Sequence, residues 1–284
     1  EEQTELWHPR AFLPDAKGMW IGYYFNRLCR YDAATRQMTE YSPGKFVHTL
    51  CYDGEGRILI ADAGISRFDP GTGTTENIYP LGDTINIFTL HRDGDILWAG
   101  CNYSYLMRLD LVTLQADFIR ITRGTTNIED ICEGDDGVLW LATLGTGICR
   151  YDPSTGDRLF YTTASGLSNN TTYSLLRNST GNIWASTNSG ISVITPATGL
   201  IRVFGENDGL SVHEFNSDAS WITPEGRFIF GGVGGAVEFD PAQILSGSYE
   251  ELSNEIVLKE LEVSAVRKYL DIPLYRADTV TIEK

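Results

Sequence analysis

The residue types that could do chemistry are few and scattered. His8, His48, His91 and His213 share no common spacing. His213 stands beside Glu214 in a segment that reads as a loop, but a general base needs a positioned partner within hydrogen-bond reach, and the spacing supplies none. No Gly-x-Ser-x-Gly elbow, His-Glu-x-x-His pair, phosphate-binding glycine loop or EF-hand loop occurs. The run Asp135-Asp136-Gly137-Val138-Leu139-Trp140 matches part of the Asp-box of sialidase propellers, a hairpin turn remote from chemistry, and lacks its upstream Ser or Thr. The five cysteines have no zinc-type pairing. Cys51 and Cys132 each stand five residues before a turn glycine, and Cys29 and Cys149 each stand three before a strand-end aspartate. They read as small buried hydrophobes and leave the redox compartment open. The expectation is no catalytic residue, no metal and no cofactor.

What recurs is a hairpin. A polar turn with glycine leads into an apolar strand centred on tryptophan and closing on Ala, Gly, Ser or Thr. Gly137-Val138-Leu139-Trp140-Leu141-Ala142-Thr143 and Gly181-Asn182-Ile183-Trp184-Ala185-Ser186-Thr187 show it best. The equivalent positions 20, 59, 98, 140, 184 and 229 lie 39, 39, 42, 44 and 45 residues apart, a blade-sized period. The strand that follows it ends in turns such as Phe68-Asp69-Pro70-Gly71-Thr72-Gly73 and Tyr151-Asp152-Pro153-Ser154-Thr155-Gly156, where proline presets φ and glycine accepts positive φ. Two further strands complete each period. The pattern predicts an all-β chain: a β-propeller of six to seven four-stranded blades over residues 1–248, with Thr4–His8 supplying the last blade's outer strand. Residues 249–284 read as a linker and the truncated start of a sandwich domain, with a strand over Ile256–Val263.

Such a ring gathers the loops inside each blade between its second and third strands, and those between blades, on one face. Function concentrates on such loops. Tyr23, Tyr24, Asn26, Asn102, Tyr103, Tyr105, Asn127, Asn169, Asn170, Asn188 and His213 are the candidate ligand-binding residues there. Aromatic faces stack on sugar rings and amides bridge hydroxyls, although asparagine is also simply a good turn former.

Charge narrows the partners. With 22 basic and 38 acidic side chains the formal charge is −16, which repels nucleic-acid phosphates and anionic lipid headgroups. No run of 18 apolar residues appears and no leader pattern follows Glu1, so this segment is not expected to span a membrane; it reads as soluble or as a piece of a longer protein.

The run Gly166-Leu167-Ser168-Asn169-Asn170-Thr171-Thr172-Tyr173-Ser174-Leu175, followed by Gly181-Asn182-Ile183-Trp184 and Gly190-Ile191, resembles the two-component-regulator propeller repeat. Asp208-Gly209-Leu210-Ser211-Val212-His213-Glu214-Phe215-Asn216, with Gly231-Gly232-Val233-Gly234-Gly235, resembles the last repeat of such propellers. The first three repeats depart from the pattern: Leu59 replaces tryptophan, Gly18-Met19-Trp20 is one residue short, and Leu109-Asp110-Leu111 lacks proline. The resemblance implies a periplasmic sensor module of a hybrid two-component histidine kinase of gut Bacteroidetes. It also implies a following triple-tyrosine immunoglobulin-like domain, an oligosaccharide or other nutrient-derived ligand, and a homodimer in the full receptor. A propeller lyase or glycosidase, or a protein-interaction propeller, are the alternatives.

Overall fold

The computed structural model describes residues 9–24, 26–44, 46–82, 84–246, 261–263 and 266–268. Thr4–His8 and most of the 249–284 segment lie outside the described residues. The chain divides into two compact units after Asp240.

In the first unit the sheets follow one another in chain order. Sheet one is β1 (Pro9–Asp15), β2 (Gly18–Tyr23), β3 (Arg27–Asp32) and β4 (Met38–Tyr41); sheet two is β5 (Thr49–Tyr52), β6 (Ile58–Asp62), β7 (Gly64–Asp69) and β8 (Thr74–Pro80). Sheet three is β9 (Ile87–Asp93), β10 (Ile96–Cys101), β11 (Tyr105–Asp110) and β12 (Ala116–Arg120); sheet four is β13 (Ile128–Glu133), β14 (Leu139–Thr143), β15 (Gly147–Tyr151) and β16 (Arg158–Tyr161). Sheet five is β17 (Thr172–Arg177), β18 (Ile183–Thr187), β19 (Ile191–Thr195) and β20 (Leu200–Phe204); sheet six has three described strands, β21 (Phe215–Ile222), β22 (Phe228–Gly232) and β23 (Gly235–Phe239). Each sheet is an antiparallel meander, and together they form a six-bladed propeller. In the second unit α1 (Pro241–Ser246) and the short hairpin of β24 (Leu261–Val263) with β25 (Val266–Lys268) are described.

The tryptophan position does the same job in successive sheets, which is why the repeat is so visible. Trp20 packs with Ile58, Ile60 and Phe68 of sheet two. Leu59 packs with Leu97, Ala99 and Met107 of sheet three. Trp98 meets Leu139, Leu141 and Tyr151 of sheet four, and Trp140 meets Leu175, Ile183 and Ala185 of sheet five. Trp184 reaches the rings of Phe228 and Phe239 in sheet six, at 5.9 and 5.1 Å. A sheet that covers its two faces with neighbours buries apolar side chains that one sheet alone would leave wet. In sheet six the equivalent Ile229 pairs with Trp221, which stays 45% exposed.

The turns at the far face share one device. Asp69 accepts the Gly71 N–H at 2.7 Å while its carbonyl accepts from Gly73; Asp152 does the same with Ser154 and Gly156, each at 2.8 Å. Sheets one and three repeat it without glycine: Asp32 and Asp110 hold turns whose left-handed residues are Arg36 (φ 58) and Leu114 (φ 57). At the opposite end glycine is required for space. A Cβ on Gly147 would stand 2.1 Å from the Tyr161 carbonyl oxygen, and one on Gly190 2.4 Å from that of Phe204.

All five cysteines are free thiols; Cys29, Cys101 and Cys149 are buried. Cys51 and Cys132 depart from the expected full burial and are half-buried, because both lie on first strands near the turn end of their blades.

Candidate functional site

The eleven sequence-derived residues sit on the expected kind of loop or at the strand ends beside it, but most of the amides are already at work. Asn26, at φ 45, accepts from the Gly44 N–H. Asn102 Oδ1 accepts from Asn86 N–H at 3.2 Å, and its amide donates to the Thr84 carbonyl at 3.0 Å. Asn169 and Asn170 accept from the N–H groups of Thr171 and Thr163, both at 2.8 Å. Asn188 accepts from the Tyr173 hydroxyl at 3.0 Å. The Asn127 carbonyl accepts from Leu144 N–H at 3.2 Å, and the His213 carbonyl from Gly190 N–H at 2.7 Å, with the His213 side chain exposed. The amides fasten loops, as their turn-forming chemistry allows.

The aromatic residues divide. Tyr23 is buried, with the Arg27 guanidinium 5.8 Å from its ring. Tyr105 meets Phe118 edge-on at 6.2 Å and carries Arg120 over its ring. Tyr103 is 47% exposed in the turn between β10 and β11. Tyr24, 42% exposed, joins a group that sequence reasoning missed: its ring lies 5.3 Å from Phe46, itself 44% exposed, and stacks on His48 at 5.8 Å. His48 in turn lies 6.3 Å from Phe88. The group draws on three consecutive blades, so no local motif announces it.

The second missed feature is at the axis. In β1, β9, β13 and β17 the pairing with the next strand skips one residue near the loop face, leaving Arg10, Phe88, Glu129 and Tyr173 without cross-strand partners. In β21 the skip spans residues 216–219 and Asp218 takes φ 56. Bulges of this kind re-aim side chains and gather beside functional sites. Here they crowd polar groups at one mouth. Ser217 donates to Glu129 Oε2 at 2.7 Å, although their strands belong to sheets six and four. Asp130 accepts from the N–H groups of Ile131 at 2.8 Å and Leu175 at 2.7 Å, and Thr89 beside Phe88 donates its hydroxyl to the same carboxylate.

The electrostatics follow. Loss of hydration raises the Asp130 carboxyl to about 6 against the pull of its donors, with Glu129 adding like-charge repulsion. Asp218 is open to solvent at the rim of the cavity described below. The same loss of hydration and the Asp130 charge raise it to about 7, opposed by Arg10 and aided by Glu129. Desolvation, then Glu214 and Glu129, push the Tyr173 phenol up. A cavity of about 150 Å³ opens among Phe12, Thr49, Asp130, Ser174, Asp218 and Ser220, contributed by five of the six innermost strands. The clustered rings of Tyr24, Phe46, His48 and Phe88 thus come from blades one to three, and the carboxylates of Glu129, Asp130 and Asp218 from blades four and six. Among the described residues no group of three or more His, Cys, Asp or Glu side chains is placed to hold a metal ion.

No protein-family model matches the chain. A stretch of 99 residues, 35% of the chain, is 29% identical to part of a histidine kinase of Formosa agariphila, of which it covers 7%. In structure the chain is similar to extracellular domains of putative hybrid two component systems from B. thetaiotaomicron. One has a TM-score of 0.57 at 20% identity, covering 82% of this chain and 33% of that one. Another has a TM-score of 0.53 at 18% identity, covering 85% and 40%. A computationally designed protein is similar too, with a TM-score of 0.59 at 14% identity over 82% of this chain and 70% of its own. The chain spans less than half the length of those extracellular domains. At such identities the likeness establishes the propeller fold, which many functions share.

Proposed function

We propose that the chain is the propeller part of the extracytoplasmic sensing region of a two-component receptor, a binding module that recognises an oligosaccharide on its loop face. The observation that carries the sensing role is the 99-residue match to a histidine kinase, with extracellular domains of two-component systems among the structural neighbours. Among the described residues no helix is long and apolar enough to cross a membrane. In this reading the module lies in the periplasm, passes its signal through a C-terminal sandwich domain, and works in a homodimer of the full receptor, with the kinase activity elsewhere in that protein.

Support for a sugar comes from Tyr24, Phe46 and His48, whose neighbouring rings offer a stacking surface partly open to solvent. The test is calorimetric titration of the chain against a panel of neutral oligosaccharides, repeated with Tyr24→Ala and Phe46→Ala. A saturable hit that each variant weakens about tenfold supports the reading. A hit untouched by either variant removes the patch from it, and turnover of the hit moves the chain to the enzymes.

A further inference from the structure

Tyr103 and Ser104 stand side by side in left-handed backbone, at φ 55 and 66. They are the central residues of the turn from β10 to β11, which the Tyr105 N–H closes by donating to the Asn102 carbonyl at 3.2 Å. Positive φ at both central positions is the geometry for which asparagine and glycine are strongly preferred. Blades two, four, five and six supply left-handed backbone at this hairpin with glycine, at Gly64, Gly145, Gly190 and Gly234. A tyrosine in that conformation works against stability.

The neighbours of Tyr103 hold the turn, and the tyrosine itself does not. Ser104 is fully buried; its N–H donates to the Thr126 carbonyl at 2.7 Å, its hydroxyl donates to the Gly124 carbonyl at 2.8 Å, and the same hydroxyl accepts from the Thr126 N–H. Asn102 exchanges two bonds of 3.2 Å with the Asn86 backbone and donates to the Thr84 carbonyl at 3.0 Å. The turn is therefore clamped to the connections before and after blade three. Tyr103 is 47% exposed, and among the described residues it makes no hydrogen bond, ion pair or ring contact. The fold thus displays an aromatic ring on a fixed turn, against its own stability and with no polar or ring contact in return. Strain of this kind gathers at ligand contacts, and a ring on a pre-ordered turn loses little freedom on binding.

The clamp also places the turn next to the aromatic group. Asn86 stands two residues before Phe88, whose ring lies 6.3 Å from that of His48. Blade two turns through Ala63 alone, between the paired Asp62 and Gly64, so its hairpin puts no long loop side chain between blades one and three.

We propose that Tyr103 is a second stacking platform for the oligosaccharide held by the Tyr24–Phe46 surface, so that the ligand is a chain of several sugar units reaching from blade one to blade three. This inference rests on the sugar-binding reading. One ligand that engages two platforms gains affinity with no new contact at either. Calorimetric titration of the whole chain against maltose, cellobiose, xylobiose and mannobiose, and against the hexasaccharide of each series, tests it alongside urea unfolding of each variant. A hexasaccharide binds at least tenfold more tightly than its disaccharide; Tyr103→Ala removes that advantage, Tyr103→Phe keeps it, and Tyr24→Ala weakens both lengths. Tyr103→Gly loses the same advantage while raising the urea midpoint. The proposal alone is overturned if Tyr24→Ala weakens a bound sugar and Tyr103→Ala does not, or if a disaccharide binds as tightly as its hexasaccharide. It is overturned as well if Tyr103→Gly lowers the urea midpoint, which makes the tyrosine a structural residue. Failure of every one of these sugars to bind overturns the sugar reading together with it.

Discussion

The Ser217 hydroxyl donates to Glu129 at 2.7 Å from a strand two blades away, joining the walls of the axial channel where the chain's strand pairing is least regular. That bond holds a buried carboxylate beside Asp130 and Asp218, and the consequence is a stability that depends on acid.

Asp130 at about 6 and Asp218 at about 7 both lie above the ordinary value for an aspartate, near 3.9 in an unfolded chain. The folded state therefore holds these protons more tightly. Their stabilising contribution is complete below about pH 4 and is lost as pH rises through about 6 and then about 7. Thermal unfolding followed between pH 5 and pH 8 is expected to show a falling midpoint, with a shallower fall in Asp218→Asn. An identical slope in that variant contradicts the assignment.

Leu114 occupies, at φ 57, the place that Gly73 and Gly156 fill in equivalent turns at φ 72 and 80. A side chain in left-handed backbone costs about 1–2 kcal/mol, partly offset by glycine's greater entropy loss of about 0.5–1 kcal/mol. Leu114→Gly is expected to stabilise the chain by about 0.5–1 kcal/mol in urea unfolding. A loss of stability shows that the leucine side chain does more than turn.

Gly147→Ala is expected to destabilise by more than about 2 kcal/mol, because its Cβ meets the Tyr161 carbonyl oxygen and its φ is +82. Trp140→Ala removes a fully buried ring stacked on Tyr161 at 5.4 Å, at a cost of about 3–5 kcal/mol. Denaturant midpoints measure both. A near-neutral Trp140→Ala contradicts the blade packing.

The propeller was legible because one small hairpin must bury the same face six times, so Trp98, Trp140 and Trp184 recur at a blade-sized interval and occupy matching places in their sheets. The site was harder to read. Asparagines at 102, 169, 170 and 188 read both as ligands for hydroxyls and as turn formers, and their side chains make hydrogen bonds within the loop face. Phe46, Phe88 and Glu129 carry no motif, since each becomes notable only when neighbouring blades converge. One trace was visible: two acids in succession, Glu129-Asp130, between the apolar residues Ile128 and Ile131-Cys132 of a first strand. Period-two alternation buries one of them unless a bulge re-aims it.

Hydrogen exchange of the chain with and without a saturating ligand tests most directly whether recognition occurs on the loop face and axial mouth. The account predicts slowed exchange at residues 24 and 26 and in segments 46–48, 86–89, 127–130, 172–174 and 215–220, with segments 32–36, 69–73, 110–114 and 152–156 unchanged. Protection confined to those aspartate turns at the opposite face would contradict it.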